Sequence, residues 1–140
     1  MLFRSKLQER DDLERTLSAA VADDAFTLRF QPTRVSGGRV AAFEALPRWR
    51  HPTKGELEPE RFFPIAEEAG LLSQLTEQLL RKACMAAVEW PDGVRLAFNL
   101  PGALLHDAAF GLRVLMALGD RKSTRLNSSH RALSRMPSSA

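Results

Sequence analysis

Glu44 is an acid inside an apolar, strand-like run, with Val40, Ala41, Ala42 and Phe43 before it and Ala45 and Leu46 after it. A carboxylate in such a run must be paired, hydrogen-bonded or bound to a metal, because burying it bare is very costly. Arg48 and Arg50 follow, with Trp49 between them, and their planar guanidinium groups suit phosphate. Two readings stay open at this point: a strand-end glutamate paired with one of those arginines, or half of a site for a cation and a phosphate. Asn99 adds a second oxygen at the end of a later strand-like run. Oxygen donors suit Mg²⁺, Mn²⁺ or Ca²⁺ rather than zinc. Two such ligands are too few for a well-held catalytic metal, and by itself Asn99 reads as a strand-end turn residue.

The other candidates carry less chemistry. His51, His106 and His130 do not fall in a ligand spacing, and the first two read as loop residues. Cys84 lies among apolar residues of a helix and reads as a small core residue rather than a nucleophile. Glu67 and Glu68 read as a helix end. The chain has no P-loop, no Rossmann glycine pattern and no nucleophile elbow.

These residues must be positioned by elements that the periodicity predicts. Lys6 to Asp23 reads as a helix, with Leu7, Leu13, Leu17, Ala20 and Val21 near helical spacing. It either packs on the domain or arrives from an upstream one. Phe26 to Arg34 alternates as a strand, Ser36 to Arg39 is a turn around paired glycines, and Val40 to Leu46 is a second strand, so the two form an antiparallel hairpin. Pro47 and Pro52 are expected to end strand character, with His51 to Glu58 a loop around Gly55. Pro59 to Ala69 is a helix stopped by Gly70, and Leu71 to Trp90 is the strongest helix. Pro91 to Gly93 is a turn, Val94 to Phe98 a short strand, and His106 to Leu118 a helix. After the hairpin, strand and helix alternate, which points to α/β with parallel strands. Glu44 and Asn99 then fall near the C-terminal ends of two strands joined by one crossover, where α/β folds place their sites.

Composition bounds the class. With 140 residues, 44% apolar and 26% charged, the chain suits one domain with a core. A single cysteine excludes an intramolecular disulfide and any cysteine-cluster metal site, and fits a reducing, cytoplasmic setting. No apolar run is long enough to cross a membrane and no secretory signal is visible. The ends look foreign. Residues 120–140 (DRKSTRLNSSHRALSRMPSSA) are Ser- and Arg-rich without apolar period, which reads as a disordered basic tail. They also resemble the translation of a common sequencing adapter, as residues 1–5 do more briefly, so both ends are set aside from fold reasoning. Residues 120–140 hold five bases and one acid, net +4, and Arg4 adds +1. Of the formal +3, residues 6–119 therefore hold −2, and nucleic-acid binding through the tail is not expected.

Five blocks in register carry a resemblance: FTLRFQP, FEALPRWRHP, PERFFPIAEEAGLL, Ala83-Cys84 with Trp90, and FNLPG. Together they resemble the N-terminal part of an EAL domain, over roughly Asp24 to Asp107. The resemblance implies an incomplete (β/α)8 TIM-type barrel with an antiparallel first strand, at residues 24–119, preceded by a linker or coupling helix at 6–23. It implies a bacterial phosphodiesterase that linearises cyclic di-GMP to pGpG with Mg²⁺ or Mn²⁺. By it, Glu44 and Asn99 would be metal ligands, Arg48 would bind a substrate phosphate, and Gln31 and Leu46 would line the groove. It leaves room for an upstream sensor or GGDEF domain and a homodimer in the parent protein.

Pro47 and Pro101 depart from the family pattern. The later acidic ligands, lysine and closing glutamate are missing, since an eight-stranded barrel needs roughly 250 residues. The expectation is a fragment, inactive and poorly stable alone, of a cyclic di-GMP phosphodiesterase. The alternatives are a degenerate EAL domain that binds the dinucleotide without cleaving it, and a non-catalytic interaction module.

Overall fold

A computed structural model of the chain describes residues 2–119, with side chains from Lys6 to Met116. The tail expected at residues 120–140 lies outside the described residues, as do the side chains of residues 1–5. The elements run α1 (Leu2–Ala22), β1 (Phe26–Arg34), β2 (Val40–His51), β3 (Gly55–Leu57), α2 (Pro59–Glu68), α3 (Leu72–Ala87), β4 (Arg95–Phe98), a single 3₁₀ turn (Gly102–Leu104) and α4 (Ala108–Gly119).

The expected hairpin forms. Gly37 and Gly38 take φ of 99° and 83°, conformations that cost glycine nothing, and the Gly38 amide donates to the Val35 carbonyl at 3.0 Å. This turn fixes the register: Phe26, Leu28 and Phe30 face Trp49, Pro47 and Ala45, while Thr27, Arg29 and Gln31 face Arg48, Leu46 and Glu44. Alternation across the pleat thus sorts β2 into two faces. Ala45, Trp49 and His51 go into the core; Glu44, Leu46, Arg48 and Arg50 look the other way. The parallel partner comes after the α2–α3 crossover, with β4 pairing Ala42 to Ala45 against Arg95 to Phe98.

Five expectations need correction. Strand β2 does not stop at Leu46 but runs through Pro47 to His51. Its β4 partners end at Ala45 and its β3 partners begin at Trp49. Pro47 falls in the gap, where its missing N–H breaks no ladder bond, and its carbonyl accepts from the Arg48 guanidinium at 2.8 Å. His51 is likewise no loop residue. It is buried at the end of β2, and its Nδ1 accepts the Thr53 and Lys54 amides, each at 3.0 Å. This cap shapes the turn into β3, a short antiparallel strand within the stretch expected to be a loop. Helix α3 ends at Ala87, short of Trp90. Helix α4 starts at Ala108, after a 3₁₀ turn, with Asp107 Oδ1 accepting the Phe110 amide at 3.0 Å as an N-cap.

The core lies between the sheet and the helices. Phe26, Trp49 and Phe62 pack at centroid distances of 5.1–6.4 Å, and Leu75, Leu79, Leu96 and Phe98 are fully buried beside them. Helix α1 belongs to this core through Leu13, Leu17, Ala20 and Val21, whereas Leu7 is exposed. Gln78 Nε2 donates to the Val21 carbonyl at 2.8 Å, and Lys82 Nζ donates to the Phe26 carbonyl, which ties the end of α1 and the start of β1 to α3. Near the other end, Glu9 pairs with Lys54 at 2.8 Å and Arg61 at 3.7 Å, and Arg10 pairs with Glu68. Gly70 (φ 75°) stops α2 as expected. Cys84 is a buried core residue. Among the described residues, β1 and β4 each pair only with β2, so each keeps one open edge.

Candidate functional site

A cavity of about 540 Å³ lies between β2, helix α2 and the segment after β4. Register places its first wall. Glu44 stands beside Ala97 of β4, so Asn99, two residues further and on the same face, comes alongside it. The Asn99 Nδ2 donates to Glu44 Oε2 at 2.9 Å. The partner of Glu44 is thus an amide, not one of the arginines that follow it. Nor does Glu44 end its strand, because β2 continues to His51; it stands one residue before the end of the part of β2 that β4 covers. Leu46 and Arg48, next along the same face, also line the cavity. Gln31 faces Glu44 across the β1–β2 ladder but lies outside the cavity lining. His51 and His106 take no part in it.

Helix α2 builds the second wall, and here the sequence reading missed residues. Glu60, Phe63, Pro64 and Glu67 line the cavity together with Glu58 before the helix. Their spacing (i, i+3, i+4, i+7) marks one helix face. That signal was present, but it was masked because Glu67 also suits a helix end. The remaining face of α2, with Phe62, Ile65 and Ala66, goes into the core. The third wall is Pro101, Gly102 and Ala103 after β4. Pro101, one of the departures from the EAL pattern, is therefore a lining residue.

An ion pair outside the cavity lining joins β1 to β3. The Arg29 guanidinium binds Glu56 through Nε at 3.1 Å and through Nη2 at 2.8 Å to each carboxylate oxygen. That contact holds the Glu56 carboxyl below its ordinary range, with Arg48 and Arg50 adding to the effect, and holds the Arg29 guanidinium above its own. Burial pushes the His51 imidazole below its ordinary value, with Lys54 and Arg61 nearby acting in the same direction. The ring is held neutral by its two amide donors and serves the turn.

Chemically, the arrangement offers two oxygen-bearing side chains in mutual contact, a guanidinium on the same strand face, and a concave wall able to receive a small polar molecule. Among the described residues, no group of three or more His, Cys, Asp and Glu side chains could hold a metal ion, and no helix is long and apolar enough to cross a membrane.

The sequence model of the EAL domain matches residues 14–127, a span that runs past Asp120. An uncharacterized signaling protein of Caulobacter vibrioides is 42% identical over 104 residues, which cover 74% of this chain and 13% of that protein. The cyclic di-GMP phosphodiesterase NbdA of Pseudomonas aeruginosa is 45% identical over 73 residues, covering 51% of this chain and 9% of NbdA. Among solved structures, the PaMucR phosphodiesterase in complex with c-di-GMP superposes with a TM-score of 0.70 at 30% identity, over 78% of this chain and 46% of that one. The FimX EAL domain from Pseudomonas aeruginosa, bound to c-di-GMP, gives 0.68 at 26% identity, over 78% and 45%. The chain thus spans a small part of these two curated relatives and under half of these two solved chains.

Proposed function

The chain belongs to the EAL domain family and has its fold, a partial α/β barrel with an antiparallel first strand, and we propose that it supplies one side of a cyclic di-GMP site. In the complete domain that site hydrolyses the dinucleotide to linear pGpG with Mg²⁺ or Mn²⁺. The chain is read as residues 24–119 of a truncated EAL domain with a docked coupling helix before it and adapter-derived residues at both ends. Alone it lacks most of the catalytic residues and is inactive.

The observation that carries this reading is the meeting of Glu44 and Asn99 at 2.9 Å on the same cavity wall as Leu46 and Arg48. Their chemistry fits a hard divalent cation as two of its ligands, because both side chains carry an oxygen donor on one cavity wall and a half-turn of the Asn99 amide, which now meets Glu44 through Nδ2, presents its Oδ1 beside the carboxylate. Such a cation, when bound, polarises a phosphodiester and lowers the pKa of a water. The chain's own residues do the rest. Arg48 offers two parallel N–H donors to a phosphate, Leu46 gives an apolar rest for a base, and Gln31 offers an amide from the neighbouring strand. The cavity walls exclude bulk water from part of the ligand.

In the complete domain, Glu44→Gln is expected to abolish metal-dependent turnover of cyclic di-GMP, with Mn²⁺ binding weakened in the same protein. Unchanged turnover rejects the assignment of Glu44. A complete domain that binds the dinucleotide and never cleaves it is a receptor instead.

A further inference from the structure

Arg29 and Glu56 are drawn together from strands that do not touch. Arg29 faces Leu46 across one ladder of β2, and Glu56 faces Arg50 across the other. Neighbouring strands lie about 4.8 Å apart, so the two residues start about two strand spacings apart across the sheet, and their partners on β2, Leu46 and Arg50, also stand four residues apart along it. Their bidentate contact must therefore cross over β2 on the face that bears Leu46, Arg48 and Arg50. Arg48, between the two in sequence register, instead turns its guanidinium onto the Pro47 carbonyl and lines the cavity. Glu56 pairs with Arg50 across the β2–β3 ladder and lies close enough to Arg48 and Arg50 for both to lower its carboxyl. Both of its oxygens are already occupied by Arg29.

We propose that the Arg29–Glu56 pair is a positioning device for Arg48: by saturating Glu56, Arg29 keeps that carboxylate from drawing Arg48 away from the cavity. The electrostatic pull of Arg48 and Arg50 on Glu56 fits this competition. The value of the arrangement to ligand binding rests on the reading of Arg48 given above, while the competition itself does not. Neither Arg29 nor Glu56 lines the cavity, so both act through Arg48.

The test follows the Arg48 ¹⁵Nε–¹Hε resonance in the 140-residue chain, identified by its disappearance in Arg48→Lys. In Arg29→Met, Glu56 loses its partner and the Arg48 resonance is expected to shift as it joins the carboxylate. In Arg29→Met/Glu56→Gln the attraction is gone and the resonance returns to its original position. Glu56→Gln alone leaves it there. A resonance that stays put in Arg29→Met overturns the proposal. In the complete domain, cyclic di-GMP affinity follows the same order, falling about two- to fivefold in the single Arg29→Met variant, the range in which an exposed ion pair competes, and recovering in the double variant. If the resonance shifts and returns but no version binds the dinucleotide, the positioning stands and the ligand reading falls. If affinity falls in Arg29→Met and fails to recover in the double variant, Arg29 acts directly and the positioning role is rejected.

Discussion

Helix α1 is part of the domain through its buried face, and Leu17→Ala tests this. Leu17 is fully buried and sits among Leu13, Ala20 and Val21. Truncation removes the transfer free energy of the lost methyl groups and leaves a cavity, together about 2–5 kcal/mol for a leucine in a core. Tethers just beyond Leu17 in the chain, Gln78 to the Val21 carbonyl and Lys82 to the Phe26 carbonyl, hinder the collapse that would relieve the cavity. We therefore expect a value near the middle, about 3 kcal/mol. Against a total of about 5–15 kcal/mol for a typical domain, this is a large loss. Urea unfolding is followed by tryptophan fluorescence, since Trp49 is only 1% exposed and reports loss of the core. With a urea slope of about 1–3 kcal/mol per molar, the midpoint falls by about 1–3 M with the slope unchanged. Leu7→Ala is the control: Leu7 is 67% exposed, and its truncation changes stability by less than about 0.5 kcal/mol. Equal, small effects from both substitutions would refute the docking of α1, and a lower slope in Leu17→Ala would mean that α1 unfolds apart from the rest.

Two other outcomes follow from the geometry. The His51 imidazole is held below its ordinary value by burial, so its folded form resists protonation while the unfolded chain accepts it near pH 6.5. The stability tied to His51 is thus full above about pH 6.5 and is lost as pH falls through the lower folded value. A urea midpoint that stays flat from pH 7.5 to 5.5 would contradict this, and Glu56 and Glu9, also held low, extend the decline into the carboxylate range. At Gly70 (φ 75°) an added Cβ meets nothing within 4 Å, so Gly70→Ala reports backbone strain alone, about 1–2 kcal/mol of destabilisation. Gly102, equally open and without positive φ, tolerates alanine with little change in the same melting experiment.

Local chemistry made much of the fold legible. The alternation of Phe26, Leu28 and Phe30 and the paired glycines defined the hairpin, and Gly70 and Gly93 punctuated the helices and turns. What escaped depended on partners distant in sequence. Pro47 signals a break to any local reading, yet it is accommodated because two different strands flank β2 on either side of it. Strand β3 spans three residues, too few to show a period. His51 is buried because the extension of β2 puts it on the core face two residues after Trp49, although the turn amides it caps are local. The candidate site divides in the same way. Glu44 stood out as an acid in an apolar run, but its contact with Asn99 depends on the register of β4. The α2 wall stayed hidden because its acids suit solvent equally well.

The lining of the cavity has a consequence for how a phosphate could enter it. Glu44, Glu58, Glu60 and Glu67 stand there against Arg48 alone, so the hollow repels an incoming anion at a distance. Dissolved electrolyte screens that repulsion. Approach by a doubly charged guest is therefore eased by ionic strength, the reverse of the behaviour of a basic groove, and a companion counterion entering with it does more than bulk salt can.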